Sequence, residues 1–84
     1  MFSLYIPKSA LKSMKKIPLP WSFRIWQVIN RLHHEPYLGE KMTGDMEDKR
    51  KIKVWPYRII YEIEENIKLI KIKEIEHRGN TSYS

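Results

Sequence analysis

The side chains that can do chemistry in this sequence are mostly basic, and they gather in its second half. They are Arg50, Lys51, Lys53, Arg58, His77, Arg78 and Tyr83. Cleavage of RNA by its own 2′-hydroxyl needs three things: removal of the hydroxyl proton, stabilisation of the phosphoryl oxygens and protonation of the leaving 5′-oxygen. Cations and a hydroxyl-bearing aromatic can supply all three. The residue types therefore predict a surface that handles phosphate.

Different side chains suit different steps of this reaction. A planar guanidinium can hold two phosphoryl oxygens at once, so Arg58 and Arg78 are the candidates for stabilising charge. A lysine crowded by other cations releases its proton more easily, so Lys51 or Lys53 is a candidate acid or base near neutral pH. The Tyr83 ring can stack on an unpaired base, and its hydroxyl can donate a proton or a hydrogen bond.

Two adjacent strands must position the central cations. The alternation in KRKIKVWPYRIIYE predicts strands that meet at Trp55-Pro56, because successive side chains of a strand point to opposite faces. The apolar residues then face the core, and Lys51, Lys53 and Arg58 share the open face. Three neighbouring cations repel one another unless an anion joins them. A merely solvated basic strand pair explains the same pattern about equally well.

The other segments complete an α+β fold of order β-α-α-β-β-β. The two helices are joined by a few residues, so we expect an antiparallel hairpin on one face of a small, mainly antiparallel sheet. The last strand needs a bulge near Lys73 or Glu74 to keep its apolar residues on one face. The expected segments are a strand at 2–6, helices from Lys8 or Ser9 to Pro18 and from Pro20 to about His34, a loop at 36–48, and a last strand at 67–76.

Composition sets the outer limits. With 84 residues the chain suffices for one two-layer core, and we expect a single domain spanning residues 1–84. The lack of cysteine excludes disulfides and thiolate metal sites. No apolar run approaches the length of a membrane span, so we expect a soluble cytoplasmic protein.

The positive charge is unevenly distributed. The net charge is +6, and the first 34 residues contain six lysines or arginines and no acidic residue. This asymmetry favours an anionic partner, either nucleic acid or an acidic protein segment. Arg50 and His77, which belong to the basic set in the second half of the chain, are predicted to bind RNA. A well-solvated basic surface accounts for the charge equally well.

Several classes of active site are absent from the sequence. It contains no nucleotide-binding glycine-rich loop, no serine-centred elbow and no histidine and carboxylate cluster with metal-binding spacing. We therefore expect neither a metal ion nor another cofactor. His33 and His34 adjoin the predicted end of the second helix, where capping or an interaction with the helix dipole explains them.

Four segments of the sequence resemble the RelE/ParE superfamily of type II toxin-antitoxin toxins. The matching pieces are SALKSMKKIP, GEKMTG, KIKVWPYRIIYEI and IEHRG followed by a tyrosine, in the family's order from about Tyr5 to Tyr83. The resemblance implies a microbial-ribonuclease-like fold and a cognate antitoxin that wraps the toxin. In the RelE branch it also implies metal-independent cleavage of mRNA on the ribosome, which inhibits translation.

The resemblance also assigns roles to particular positions. The two strand lysines of the RelE branch fall on Lys51 and Lys53, and the arginine after the turn falls on Arg58. The C-terminal arginine and the catalytic tyrosine fall on Arg78 and Tyr83. The chain departs from the family's usual Gly-Asp before Tyr-Arg, because it has Trp-Pro there.

Three functions remain open from the sequence. The first is a ribosome-dependent endoribonuclease, which the cationic set and Tyr83 favour. The second is a ParE-like toxin that binds and inhibits DNA gyrase, since that branch shares the fold but generally lacks the catalytic set. The third is a non-toxic, non-catalytic binding module, either a nucleic-acid-binding protein or a degenerate toxin.

Overall fold

A computed structural model describes residues 1–44 and 48–77 of the chain. Its helices and strands follow the predicted order, with one additional short strand. They are β1 (Ser3–Tyr5), α1 (Lys8–Lys16), α2 (Trp21–Arg31), β2 (Glu40–Lys41), β3 (Lys49–Val54), β4 (Tyr57–Glu64) and β5 (Leu69–His77). A 3₁₀ turn at Glu65–Ile67 connects β4 to β5. Within the described residues no helix is long and apolar enough to span a membrane.

The strands form one five-stranded sheet in the order β1-β5-β4-β3-β2. β1 runs parallel to β5, and every other neighbouring pair is antiparallel. The register between β4 and β5 shifts at Ile60 and Tyr61, which pair with Glu74 and Ile72 and leave Lys73 as the extra residue. The predicted bulge is therefore confirmed, and so is the mainly antiparallel α+β fold with its helices on one face.

The core lies between the two helices and the sheet. Ala10 and Met14 face inward from α1, and Ile25 and Ile29 face inward from α2. They meet the buried apolar residues of the central strands, Ile59, Tyr61, Ile70, Ile72 and Ile75. The helical spacing of i and i+4 places each inward pair on a single face. The opposite face of the sheet is left without a covering layer of described residues.

The second helix ends at Arg31 rather than near His34, where the sequence predicted its end. The chain tightens there, because the backbone N–H groups of Leu32 and His34 bond to carbonyls three residues back. His33 then leaves the helix to hold the N-terminal segment. Its Nδ1 lies 2.7 Å from the carbonyl oxygen of Phe2, and the Phe2 N–H donates to the His33 carbonyl at 2.9 Å.

The predicted loop at residues 36–48 contains an element that was not predicted, the short strand β2. Glu40 and Lys41 pair with Lys51 and Arg50 at the edge of the sheet. Two residues are too few to show an alternation, so no sequence pattern indicates this strand. In the turn after β4, Lys68 adopts the left-handed conformation, with φ of 50°.

The buried hydroxyl of Tyr61 fixes this loop to the sheet. It accepts a hydrogen bond from the Gly39 N–H at 2.9 Å and donates one to the Pro36 carbonyl at 2.8 Å. Gly39 packs so closely that a Cβ there would lie 2.8 Å from the Lys51 carbonyl oxygen and 2.9 Å from a ring carbon of Tyr61. The loop and the cationic strand β3 are therefore held together by backbone contact.

Candidate functional site

The register of β3 and β4 brings three of the predicted cations together. Lys53 lies directly opposite Arg58, and Lys51 lies two residues earlier, opposite Ile60. Side chains alternate along a strand, so all three project from the face of the sheet opposite the helices. Paired strands run roughly 5 Å apart, which sets Lys53 and Arg58 side by side.

These cations line a shallow cavity of about 120 Å³, together with Trp55 and Tyr57. Sites that enclose a small ligand usually measure about 300 to 1,000 Å³, so this cavity is too small to surround a whole nucleotide. It suits a charged group that lies on the surface, such as a phosphate of a longer chain.

Arg58 has an acidic partner that the sequence analysis did not identify. Its Nε donates a hydrogen bond of 2.7 Å to Glu76, which lies directly opposite it on β5. Glu74 projects from the same face two residues earlier. A hydrogen bond with Glu76 raises the pKa of the Glu74 carboxyl above its ordinary value of 4.5, and burial and the negative charge of Glu76 add to the effect. The alternation in KEIE indicates that Glu74 and Glu76 share a face of β5, but the bulge decides which residue of β4 each glutamate opposes.

Ion pairs occupy the other end of the open face. Lys49 contacts Glu62 at 3.1 Å, and Lys71 contacts Glu64 at 3.0 Å. These carboxylates raise the pKa values of both lysines, chiefly through the hydrogen bonds they accept. Among residues 1–44 and 48–77, no carboxylate lies within ion-pair distance of Lys51 or Lys53. The positive charge that remains uncompensated on this face is therefore concentrated at the cavity.

The structure places Arg50 apart from the other cations. It follows the opposite alternation, pairs with Tyr61 and projects toward the helix side of the sheet. Its Nη1 donates a hydrogen bond of 2.7 Å to the Gly39 carbonyl, and its guanidinium lies 5.0 Å from the centre of the Tyr37 ring. These contacts hold the loop before β3. The predicted RNA-binding role of Arg50 thus has no geometric link to the cavity.

His77 also projects to the helix side. It lies opposite Tyr57, and the two rings meet edge to face with their centres 5.1 Å apart. It borders a separate surface cavity that includes Lys16 of α1. The predicted site residues Arg78 and Tyr83 lie outside the described residues. Of the five candidates that the structure describes, three lie together at the cavity.

The described residues contain no group of three or more histidine, cysteine or carboxylate side chains arranged to hold a metal ion. The groups that can act at the cavity are the amines of Lys51 and Lys53, the guanidinium of Arg58 and the carboxylates of Glu74 and Glu76. Amines and a guanidinium can hold an anion such as a phosphate, and amines and carboxylates can exchange protons.

A comparison with sequence profiles of protein families gives a match to the ParE toxin of type II toxin-antitoxin systems, parDE, over residues 4–81. The chain belongs to the ParE toxin family. The match includes both helices and every residue of the sheet except Ser3 of β1, and it confirms the predicted membership of the RelE/ParE superfamily. No protein of curated function matches the toxin.

Solved structures show the same fold. The toxin is similar to a chain of the archaeal RelE-RelB complex from Pyrococcus horikoshii, with a TM-score of 0.77 and 25% identity over 93% of this chain and 96% of that one. It is also similar to the isolated E. coli RelE toxin, with a TM-score of 0.80 and 20% identity over 92% and 84%. The YoeB/ParE toxin from Agrobacterium tumefaciens gives 0.77 and 14% over 90% and 98%. The fold is thus common to toxins with both names.

Proposed function

We propose that this toxin is a metal-independent endoribonuclease that cleaves mRNA on the ribosome and thereby stops translation. The observation that carries the proposal is the cavity where Lys51, Lys53 and Arg58 meet, with no carboxylate among residues 1–44 and 48–77 in ion-pair distance of either lysine. Two lysine charges that no carboxylate of the described residues pairs with, on an open sheet face, favour the phosphate backbone of a nucleic acid.

The side chains suit the steps of the reaction. Only the Nε of Arg58 bonds to Glu76, so the other side of its guanidinium can face a phosphate. Glu76 then acts as a positioning residue that fixes the orientation of the Arg58 guanidinium. Lys51 and Lys53 are the proposed acid and base groups, as the sequence suggested. Arg78 and Tyr83 are proposed to complete the site from the C-terminal segment.

We propose further that a cognate antitoxin neutralises the toxin. The relatives from P. horikoshii and Methanococcus jannaschii were solved as complexes of RelE with RelB. The basic surface of α1, with four lysines between Lys8 and Lys16, suits an acidic partner segment.

The test combines growth with the mapping of mRNA ends. Induced wild-type toxin should arrest growth, and primer extension on a reporter mRNA should reveal new ends inside codons. Arg58→Ala should abolish both effects. The matched control is Arg24→Ala, which removes an exposed arginine of α2 far from the cavity. Purified wild-type toxin that leaves mRNA intact on translating ribosomes would refute the proposal.

The second candidate is inhibition of DNA gyrase by binding. It is favoured by the family profile, which is that of ParE. It is also favoured by Glu74 and Glu76, because their carboxylates lie on the same face as Arg58 and reduce the net positive charge available to RNA there. Arrest without new mRNA ends, together with loss of supercoiling activity when toxin is added to gyrase, would support it. If the toxin binds RNA with a steep salt dependence but neither cleaves RNA nor inhibits gyrase, it is a non-catalytic binding protein.

A further inference from the structure

Trp55 is the most exposed of the tryptophans and lies beside the cationic cavity. Its relative exposure is 67%, whereas Trp21 and Trp26 are partly buried against the core. It occupies the turn between β3 and β4, directly after Val54.

β3 ends at Val54, and Trp55 is the first residue of the turn that follows it. Lys51 and Lys53 occupy the open face, and the next position in the same phase is Trp55. Residues two apart in a strand are about 7 Å apart along it, so this phase, continued by one residue into the turn, predicts a row of two amines and an indole on one side of the sheet. The structure agrees, because Trp55 lines the same cavity as Lys51, Lys53 and Arg58.

A row of cations that ends in an aromatic ring matches the chemistry of a single nucleic-acid strand. The phosphates require positive charge, and an unpaired base requires a flat apolar surface. A base stacked on an aromatic side chain contributes about 1 to 3 kcal/mol and does so for every base, since each base has a π-face. An acidic protein segment would satisfy the lysines, but it does not call for a planar ring at the end of the row.

We propose that Trp55 stacks on an unpaired base of single-stranded RNA whose neighbouring phosphates bind to Lys51, Lys53 and Arg58. The inference rests on the proposed function, since it defines how the same cavity holds its substrate. It assigns to the β3–β4 turn the base contact that the sequence analysis assigned only to Tyr83. The contact positions RNA without selecting one base over another.

The test measures binding apart from cleavage. The probe is a labelled single-stranded RNA with 2′-O-methyl sugars, which lacks the attacking hydroxyl, at low salt where phosphate contacts are strongest. Trp55→Ala should weaken binding by about 5- to 150-fold, the equivalent of one stacked base. Trp55→Phe should retain most of the affinity. Phe23→Ala should have no effect, since it removes a 58% exposed ring from α2.

A second set of probes identifies the contact as stacking. In these probes a single abasic site replaces each base in turn. At one position wild-type toxin should lose as much affinity as Trp55→Ala loses on the intact probe. Trp55→Ala should lose nothing more at that position, because the two changes remove the same contact. Equal losses for both proteins at every position would overturn the inference.

Other outcomes separate the inference from the proposed function. Unchanged binding by Trp55→Ala, while wild type still cleaves mRNA, overturns the inference and leaves the ribonuclease intact. Stacking without any cleavage on ribosomes refutes the ribonuclease and supports the contact. If Trp55→Ala weakens binding to the antitoxin and not to RNA, the ring belongs to a protein interface and the inference is wrong. Failure of wild type to bind any RNA probe also overturns it.

Discussion

Replacement of Tyr61 by phenylalanine tests how the loop before β3 is held. The ring is fully buried, and its hydroxyl makes two hydrogen bonds, from the Gly39 N–H at 2.9 Å and to the Pro36 carbonyl at 2.8 Å. Tyr61→Phe keeps the ring and removes only the oxygen. Gly39 and Pro36 are buried too, so neither backbone group gains water in exchange.

The magnitude follows from these two orphaned groups. A buried donor or acceptor left without a partner costs about 1 to 3 kcal/mol. The phenylalanine ring avoids the desolvation of a hydroxyl, which offsets part of this cost. We therefore expect Tyr61→Phe to lower the free energy of unfolding by about 2 to 4 kcal/mol, a large fraction of the total for so small a protein.

The assay is urea denaturation followed by far-UV circular dichroism. The control is Tyr57→Phe, on the same strand, where no hydrogen bond of the hydroxyl occurs among the described residues, and its effect should stay within about 0.5 kcal/mol. A loss below about 0.5 kcal/mol for Tyr61→Phe would show that the two hydrogen bonds do not hold the loop. The conclusion that the Tyr61 hydroxyl fixes the loop before β3 to the sheet would then be wrong.

The same variant has a pH signature. Burial raises the pKa of the Tyr61 hydroxyl above its ordinary value of 10.0, against smaller opposing effects of the Gly39 hydrogen bond and the Arg50 charge. A raised pKa in the folded state means that folding favours the protonated form, so this stabilisation is complete below pH 10 and declines as pH rises through the folded pKa. The stability difference between wild type and Tyr61→Phe should therefore narrow above pH 10.

Two further predictions concern neighbouring positions. Gly39→Ala should lower the free energy of unfolding by about 1 to 3 kcal/mol, because the new Cβ would lie 2.8 Å from the Lys51 carbonyl oxygen, a backbone atom that cannot rotate away. An unchanged melting temperature would refute the close packing. Glu74→Gln should stabilise the toxin increasingly as pH rises above 4.5. The hydrogen bond with Glu76 raises the pKa of Glu74 in the folded state, despite the opposing charges of Arg58 and Lys49, so ionisation of the Glu74 carboxyl destabilises the folded wild type. Melting curves at several pH values test this, and a pH-independent difference would contradict it.

Most of the fold could be predicted because its signals are local. Prolines at 7, 18 and 20 delimit the first helix and the start of the second, and apolar spacing gives both helices their inward faces. The bulge at Lys73 followed from a break in alternation, which is also local. The end of α2 and the strand β2 escaped prediction because both depend on partners far along the chain, Phe2 and the strand β3.

The site divides in the same way. Alternation around the turn was enough to predict that Lys51, Lys53 and Arg58 share a face, because the period of a strand is fixed by backbone geometry. The sequence could not show that Glu76 engages Arg58, nor that Arg50 turns toward Gly39. Both contacts join residues at least eleven positions apart.

The sequence by itself thus determined the two helices, the strands other than β2 and the faces that their residues take, because helical and strand periodicity depend only on neighbouring residues. Tertiary structure decided which charges are compensated and which remain available, because register across β3, β4 and β5 sets the partner of every open-face side chain. Arg58 met a carboxylate there, the two lysines met none among the described residues, and Trp55 came to lie at the edge of their cavity.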